Sequence, residues 1–438
     1  MSRRLFTSLA AIATALVGAQ AQAQDFAVTH ATVALGDGTE PISDATVVVR
    51  GGRIAAAGAG MATPAGIPVI DGTGKWVTPG IFAAYTDLGL WDVDAVDESN
   101  DKSADDSPFN AALDISVALN PASEHIAINR AGGVTRASVT GFNGKSIFAG
   151  QGAVIDLGAD PQMLVQPRAF QVVSLGENGA KLAGGSRVAA YVTFRNALRE
   201  ARDIAAIPAG ADRKSDVLLT HADAVALVPV VQGVQKLYVE VERAADIRAV
   251  LALRTEFPKL DMVIVGATEG WMVAADLAAA KVPVLVMPMN DLPAQFEQIA
   301  ATQSNIGRMT KAGVKVGIGM FAGMNQPRYA PQQAGNMVAL TKVPGATGLS
   351  WGQALAAITS IPADITGMGG QKGAAQGVLK PGAVGDVVLW DGDPLELSSA
   401  PVKVWIDGID QPLTTRQTRL RDRYKSLDRT YLPKAYDW

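Results

Sequence analysis

The sequence predicts an α/β protein, a closed (β/α)8 barrel of the TIM type carrying a small β-sandwich built from both ends of the chain. Two observations carry that reading. Between residues 80 and 377 strand-like apolar runs alternate with helical ones, the pattern of a parallel sheet, and a stretch of about 300 residues suits a closed ring better than an open sheet. On either side of it lie short alternating strands punctuated by turn pairs, at 26–79 and again at 378–415.

The elements follow in order. Arg3 and Arg4 precede an apolar run over 5–17, and Ala19-Gln20-Ala21-Gln22-Ala23 offers small residues at signal-peptidase spacing, so residues 1–23 read as a signal peptide. The mature chain is expected to begin near Gln22 or Gln24, exported to the periplasm or medium. The run is shorter than the about 20 residues a membrane span needs, and no later stretch supplies one. Strands are expected over 26–34, 45–50, 53–57 and 67–71, separated by Asp37-Gly38, Gly51-Gly52 and Gly72. The closing β segment has strands at 386–390 and 402–407, bounded by Pro381-Gly382, Asp393-Pro394 and Gly408.

Inside the barrel, strands are expected at 133–139, 154–157, 236–241, 261–265, 282–287 and 314–318. Helices are expected at 114–130, 194–204, 244–257, 271–280, 294–312 and 351–358. The acidic and polar stretch 92–107 reads as a long loop, and residues 416–438 as a tail.

Composition narrows the chemistry. There is no cysteine, which removes disulfides, thiolate metal sites and cysteine nucleophiles together. A net charge of -4 gives no basic field for nucleic acid. The tail is locally basic and aromatic (Arg419, Arg421, Arg423, Tyr424, Tyr431, Tyr436, Trp438), but Asp422 and Asp428 break the run, so it reads as a partner contact or as a strap on its own barrel.

Several separated motifs, in order, resemble the amidohydrolase superfamily, in particular its imidazolonepropionase-like branch. They are Trp76-Val77-Thr78-Pro79-Gly80, Gly132-Gly133-Val134-Thr135, Gly150-Gln151-Gly152-Ala153-Val154, the run from Gly313 to Gly319, and the closing run from Gly377 through Pro381-Gly382 to Trp390. The resemblance implies hydrolysis of C–N and related bonds by one or two divalent metals held at the C-terminal mouth of the barrel. There a Lewis acid with an open coordination position activates water.

The same resemblance shows where the pattern breaks. Relatives follow Pro-Gly with a strand ending in His-x-His, where this chain has Tyr85 and Asp87. The next ligand position falls in Val239-Glu240-Val241-Glu242, the one after it at about Gly266, and the late aspartate position at Met320-Phe321. The former ligand positions are therefore Tyr85, Asp87, Glu240, Gly266 and Phe321. The whole chain has three histidines, His30, His125 and His221, none paired at metal spacing.

What remains at the mouth is Asp87, Glu240 and Glu242, the candidate catalytic residues. They read either as hard oxygen ligands for a divalent cation or as a general acid and base. The third reading pairs the glutamates with Arg136, Lys145 or Arg243 as a structural ion network. Two further motifs are discounted. Gly141-Phe142-Asn143-Gly144-Lys145-Ser146 lacks the spacer of a phosphate loop, and Gly348-Leu349-Ser350-Trp351-Gly352 has no strand leading into it, so Ser350 reads as a helix N-cap. The expected function is a non-catalytic homologue, a binding module or partner subunit forming homo-oligomers or joining an active relative, with a small-molecule ligand and no metal. The alternative is a hydrolase of carbon–nitrogen bonds with a carboxylate-based site.

Overall fold

The computed structural model describes residues 23–207, 216–323, 326–371 and 373–425. The expected signal peptide through residue 22, and the tail beyond residue 425, lie outside them.

The amino-terminal strands β1 (Phe26–Val33), β2 (Ile42–Arg50), β3 (Arg53–Ala59), β4 (Val69–Asp71) and β5 (Trp76–Pro79) precede a ring of eight. The ring comprises β6 (Ile81–Thr86), β7 (Val134–Val139), β8 (Phe148–Asp156), β9 (Leu164–Ser174), β10 (Lys236–Val241), β11 (Met262–Gly266), β12 (Val284–Val286) and β13 (Val316–Phe321). The chain then returns to the first sheet with β14 (Val387–Trp390), β15 (Pro401–Ile406) and β16 (Ile409–Asp410). The ring closes as a barrel, β13 pairing β6 through Gly319 opposite Ala84 and Phe321 opposite Thr86.

Seven barrel strands run parallel, and β8 runs against both neighbours. The reason is local. No helix connects β7, β8 and β9, so they form a meander, and hairpin connections force antiparallel pairing. The outer face of β8, which a helix would cover, is covered instead by the loop carrying Asp114, whose neighbour Leu113 accepts from the Gln151 amide at 2.7 Å.

The expected helix over 114–130 is cut short. A single turn at Ile115–Val117 is followed by Pro121 and then by the helix Glu124–Ala131, because proline disfavours helical geometry in the residue before it. The helix expected over 294–312 likewise reduces to a turn at Phe296–Gln298 and the helix Asn305–Lys311. The helix Arg187–Ala206 is longer than expected, its start capped by Ser186. Ser350 caps the helix Trp351–Ala356 in a reciprocal box with Gln353, as its position before an apolar run implies.

The two terminal β segments join as one continuous sheet in the order β16-β15-β14-β5-β1-β2-β3, with β4 beside β1. It curls round a core of its own in which Phe26 stacks on Trp405 at 4.4 Å, and its far turns meet where the Gly385 amide donates to Gly52 O at 2.8 Å. The expected sandwich is thus a single folded sheet. His30 sits at the kink of β1, at φ +58° with its Nδ1 2.8 Å from Asp44, between the part that pairs β4 and the part that pairs β5. Arg136 on β7 binds the sheet to the barrel: buried, it meets Asp386 at 2.7 Å, Asp407 at 2.7 Å and Asp156 at 3.7 Å.

Candidate functional site

The barrel interior is filled by stacked aromatic rings. Phe170 lies on Tyr238 at 4.2 Å, with Phe82, Val263 and Leu285 around them, and the helix Ser360–Thr366 closes the lower end through Ala363 and Ile365. The Tyr238 hydroxyl donates downward to Thr366 Oγ1 at 3.2 Å, and a second group of polar side chains lies above the layer, at the C-terminal ends of the strands. Strand parity puts them there, since residues two apart on a strand face the same way.

Tyr85, at the end of β6, donates its hydroxyl to Glu240 Oε1. The other oxygen of Glu240 receives the Ser174 hydroxyl from the end of β9. Asn143 is the third member: its Oδ1 lies within hydrogen-bond reach of Ser174, while its Nδ2 donates to Ser146 O at 3.0 Å and Ile147 O at 2.9 Å. Burial above all, then the adjacent Glu240 carboxylate, push the Tyr85 phenol well above its ordinary pKa. Tyr85 is therefore a fixed neutral donor. Both oxygens of Glu240 are occupied by neutral hydroxyls.

Glu242 makes a second set through its Oε2. It accepts from the Thr268 amide at 2.8 Å and the Thr268 hydroxyl at 2.6 Å. Burial raises its pKa, against the lowering effect of Thr268 and Gln298, and the charge of Glu240 adds to the rise. Gly266 is the floor of this set. At φ +96° it presents no side chain, and a Cβ there would stand 2.5 Å from Glu242 Oε1. The glutamate thus fills the space that a residue larger than glycine would need. Asp87 is turned elsewhere, accepting from the Gly323 amide at 3.1 Å. Phe321 lies in the layer between barrel and helices, while Met320 packs against the barrel interior.

The ion-pair reading of the glutamates is corrected. Arg136 serves Asp386 and Asp407 at the sheet, Lys145 reaches Asp106 on the surface at 2.6 Å, and Arg243 pairs Asp246 at 3.3 Å. Hydroxyls and amides hold Glu240 and Glu242 instead. Sequence reasoning missed Ser174, Thr268 and Asn143; the signal was a small polar residue closing an apolar strand, as in Val172-Val173-Ser174.

Backbone strain gathers at the same rim. Tyr85 (φ +60°), Met320 (φ +64°) and Ala267 (φ +46°) are non-glycine residues in left-handed geometry, a conformation that persists only where surroundings impose it. Among the described residues no three His, Asp, Glu or Cys side chains gather as a metal cage. The histidines stand apart: His30 in the kinked strand, His125 stacked on Trp91 at 3.8 Å, and His221 exposed in the first turn of a helix.

No protein-family model matches the sequence. A segment of 64 residues, 15% of this chain, is 48% identical to part of amidohydrolase tasK of Hapsidospora irregularis, and the match takes in 6% of that protein. Among solved structures, the amidohydrolase from Thermotoga maritima MSB8 superposes with a TM-score of 0.74 at 23% identity, covering 88% of this chain and 99% of that one. The chain has the amidohydrolase fold. Molinate hydrolase follows more loosely, with a TM-score of 0.53 at 16% identity over 95% of this chain and 99% of that one. In this amidohydrolase fold the closed eight-stranded barrel and the separate sheet correspond to the two parts expected from sequence.

Proposed function

We propose that this chain is a non-catalytic member of the amidohydrolases, in their imidazolonepropionase-like branch. Its barrel is kept as a binding module or as the partner subunit of an active relative. The observation that supports it is that the carboxylates of the mouth are turned on their neighbours: Glu240 accepts on both oxygens, from Tyr85 and Ser174, and Oε2 of Glu242 accepts from Thr268 in the space above Gly266.

The metal that the fold implies does not fit this donor set. A hydrolytic zinc site asks for imidazole and carboxylate ligands with one position open to water. Here the corresponding positions offer a phenol already donating, a glycine without a side chain and a buried phenylalanine. A hard cation would want free carboxylate oxygens. Those of Glu240 are both engaged, and Asp87 faces the Gly323 amide.

One observation favours a second reading. The burial that raises the pKa of Glu242, two residues from Glu240, is the arrangement by which a carboxyl group is held protonated as a general acid. In that reading Glu242 donates a proton and Glu240 activates water in hydrolysis of a carbon–nitrogen bond without metal. Export through residues 1–23 remains part of the proposal and is checked by amino-terminal sequencing of secreted protein. Among the described residues no helix is long and apolar enough to cross a membrane.

The two readings separate in one assay. Purified chain is incubated with amide, cyclic amide and dipeptide substrates, with and without added Zn²⁺ or Mn²⁺. The non-catalytic reading predicts no turnover under any condition. Metal-independent turnover abolished by Glu242→Gln would establish the second reading in its place.

A further inference from the structure

We infer that the rim of the barrel around the β12 loop is the face on which a second copy of this chain docks. The loop between β12 and the helix Asn305–Lys311 exposes Leu292 (81%), Phe296 (84%) and Ile299 (67%), with Met289 beside them and Met272 on the adjoining β11 loop. Scattered apolar residues on a surface need no explanation, but a concentration of large ones on one rim does.

Their exposure is built, since the backbone that carries them is pinned from below. Glu297, between Phe296 and Ile299, is buried and accepts from the Glu177 amide at 2.7 Å and from Arg187 at 3.0 Å. The Ala300 amide donates to Glu269 at 3.3 Å, and its carbonyl receives the Trp271 indole at 2.9 Å. Gly176 allows the close approach, for a Cβ there would sit 2.5 Å from Glu297 Oε2. Polar Glu297 and Gln298 are buried while the flanking Phe296 and Ile299 stand outward, the reverse of an ordinary loop.

Charge selects the occupant. Residues 282–307 contain no lysine or arginine, and the neighbouring guanidiniums are engaged, Arg187 by Asp246 and Glu297 and Arg308 over the Trp271 ring, so the loop offers little of the basic fringe that draws an apolar loop to an anionic membrane. Of its two acids, Glu297 is neutralised by Arg187, which leaves Asp291 as the single exposed charge. A two-fold axis lays a patch on its own image, which is favourable where the patch is apolar and nearly free of like charge. The five side chains expose several hundred Å², roughly half of the about 800 Å² that one partner brings to a standard interface. Methionine and phenylalanine are also the residues enriched at interface centres. The same loop carries Gln298, whose side chain lies beside Glu242, so the docked copy adjoins the barrel mouth.

This surface does not depend on whether the mouth performs chemistry, and its failure would leave that question untouched. The test is sedimentation equilibrium of the full mature chain at micromolar concentration, with Phe296→Glu combined with Ile299→Glu as the disrupting variant. The wild type is expected to be a dimer and the variant to dissociate at least about 30-fold more readily, the effect of losing a central anchor. Because the chain has no cysteine, Ile299→Cys introduces a sole thiol without adding a charge. Oxidation should trap a covalent dimer from Ile299→Cys and none from Leu397→Cys, whose site is equally exposed on another surface. A monomeric wild type, a dimer indifferent to both glutamates, or equal trapping at Leu397 overturns the inference, as does wild-type protein that stays monomeric and binds phosphatidylglycerol vesicles.

Discussion

Asp156→Asn should stabilise this protein at neutral pH. Asp156 is the outlying member of the cluster in which one buried arginine, Arg136, faces three aspartates, and it is the most distant of them at 3.7 Å. Burial outweighs the attraction of Arg136, with Asp407 and Asp386 adding repulsion, and the Asp156 pKa is pushed up to about 6. An unfolded aspartate titrates near 3.9, so between about pH 4 and pH 6 the folded chain binds more protons than the unfolded one. Folded stability attached to this group is fully present below pH 4 and falls as pH rises through 6. A shift of about two units corresponds to roughly 3 kcal/mol; coupling to Asp407 makes about 1–3 kcal/mol the expected gain from removing the charge. Asparagine keeps an oxygen for the Gly158 amide, which Asp156 accepts at 2.9 Å. Isothermal urea unfolding of wild type and variant from pH 4 to pH 8 measures the difference. The advantage of the variant should grow from near zero at pH 4 to its full value above pH 7. A variant less stable at pH 7.5, or an advantage independent of pH, would refute the reasoning.

Other outcomes follow from the mouth and the sheet. Gly266→Ala combines a left-handed backbone with a Cβ 2.5 Å from Glu242 and should cost about 1–3 kcal/mol in urea unfolding; pairing it with Glu242→Ala should recover part of that loss, which a purely backbone effect would not. Glu242→Gln removes a carboxyl group whose pKa burial raises, so its thermal stability relative to wild type should improve as pH rises above the ordinary carboxylate range, and an unchanged gap contradicts the assignment. Phe26→Ala empties the stack on Trp405 in the small sheet and should lower stability by about 3–5 kcal/mol, with the loss of the Trp405 near-ultraviolet signal preceding that of the barrel.

Much of this architecture was legible because it rests on repetition. Alternating elements marked the barrel, and turn pairs bracketing short strands marked the sheet at both ends. What escaped was set by tertiary contacts. Strand β9 begins Leu164-Val165-Gln166-Pro167-Arg168, and Pro167, the left-handed Arg168 and the buried Gln171 hide a strand that exists because β8 and β10 flank it. The reversed direction of β8 was equally invisible, since residue pattern does not encode polarity. At the mouth, the absence of histidine from positions 85, 87 and 266 could be read directly from the sequence. The partners of the glutamates could not. Arg136 lies far from Asp386 and Asp407 in sequence, and only the meeting of sheet and barrel reveals that those aspartates claim it. The hydroxyls of Ser174 and Thr268 gave no charge pattern to follow.

The proposal that the mouth holds no catalytic metal can be weighed directly. Mature protein purified without chelators and dialysed against metal-free buffer should contain well under one-tenth equivalent of zinc, manganese, iron, nickel or cobalt by inductively coupled plasma mass spectrometry. One equivalent of any of them per chain, lost together with a change in the Tyr85 ultraviolet absorbance on chelation, would contradict the account.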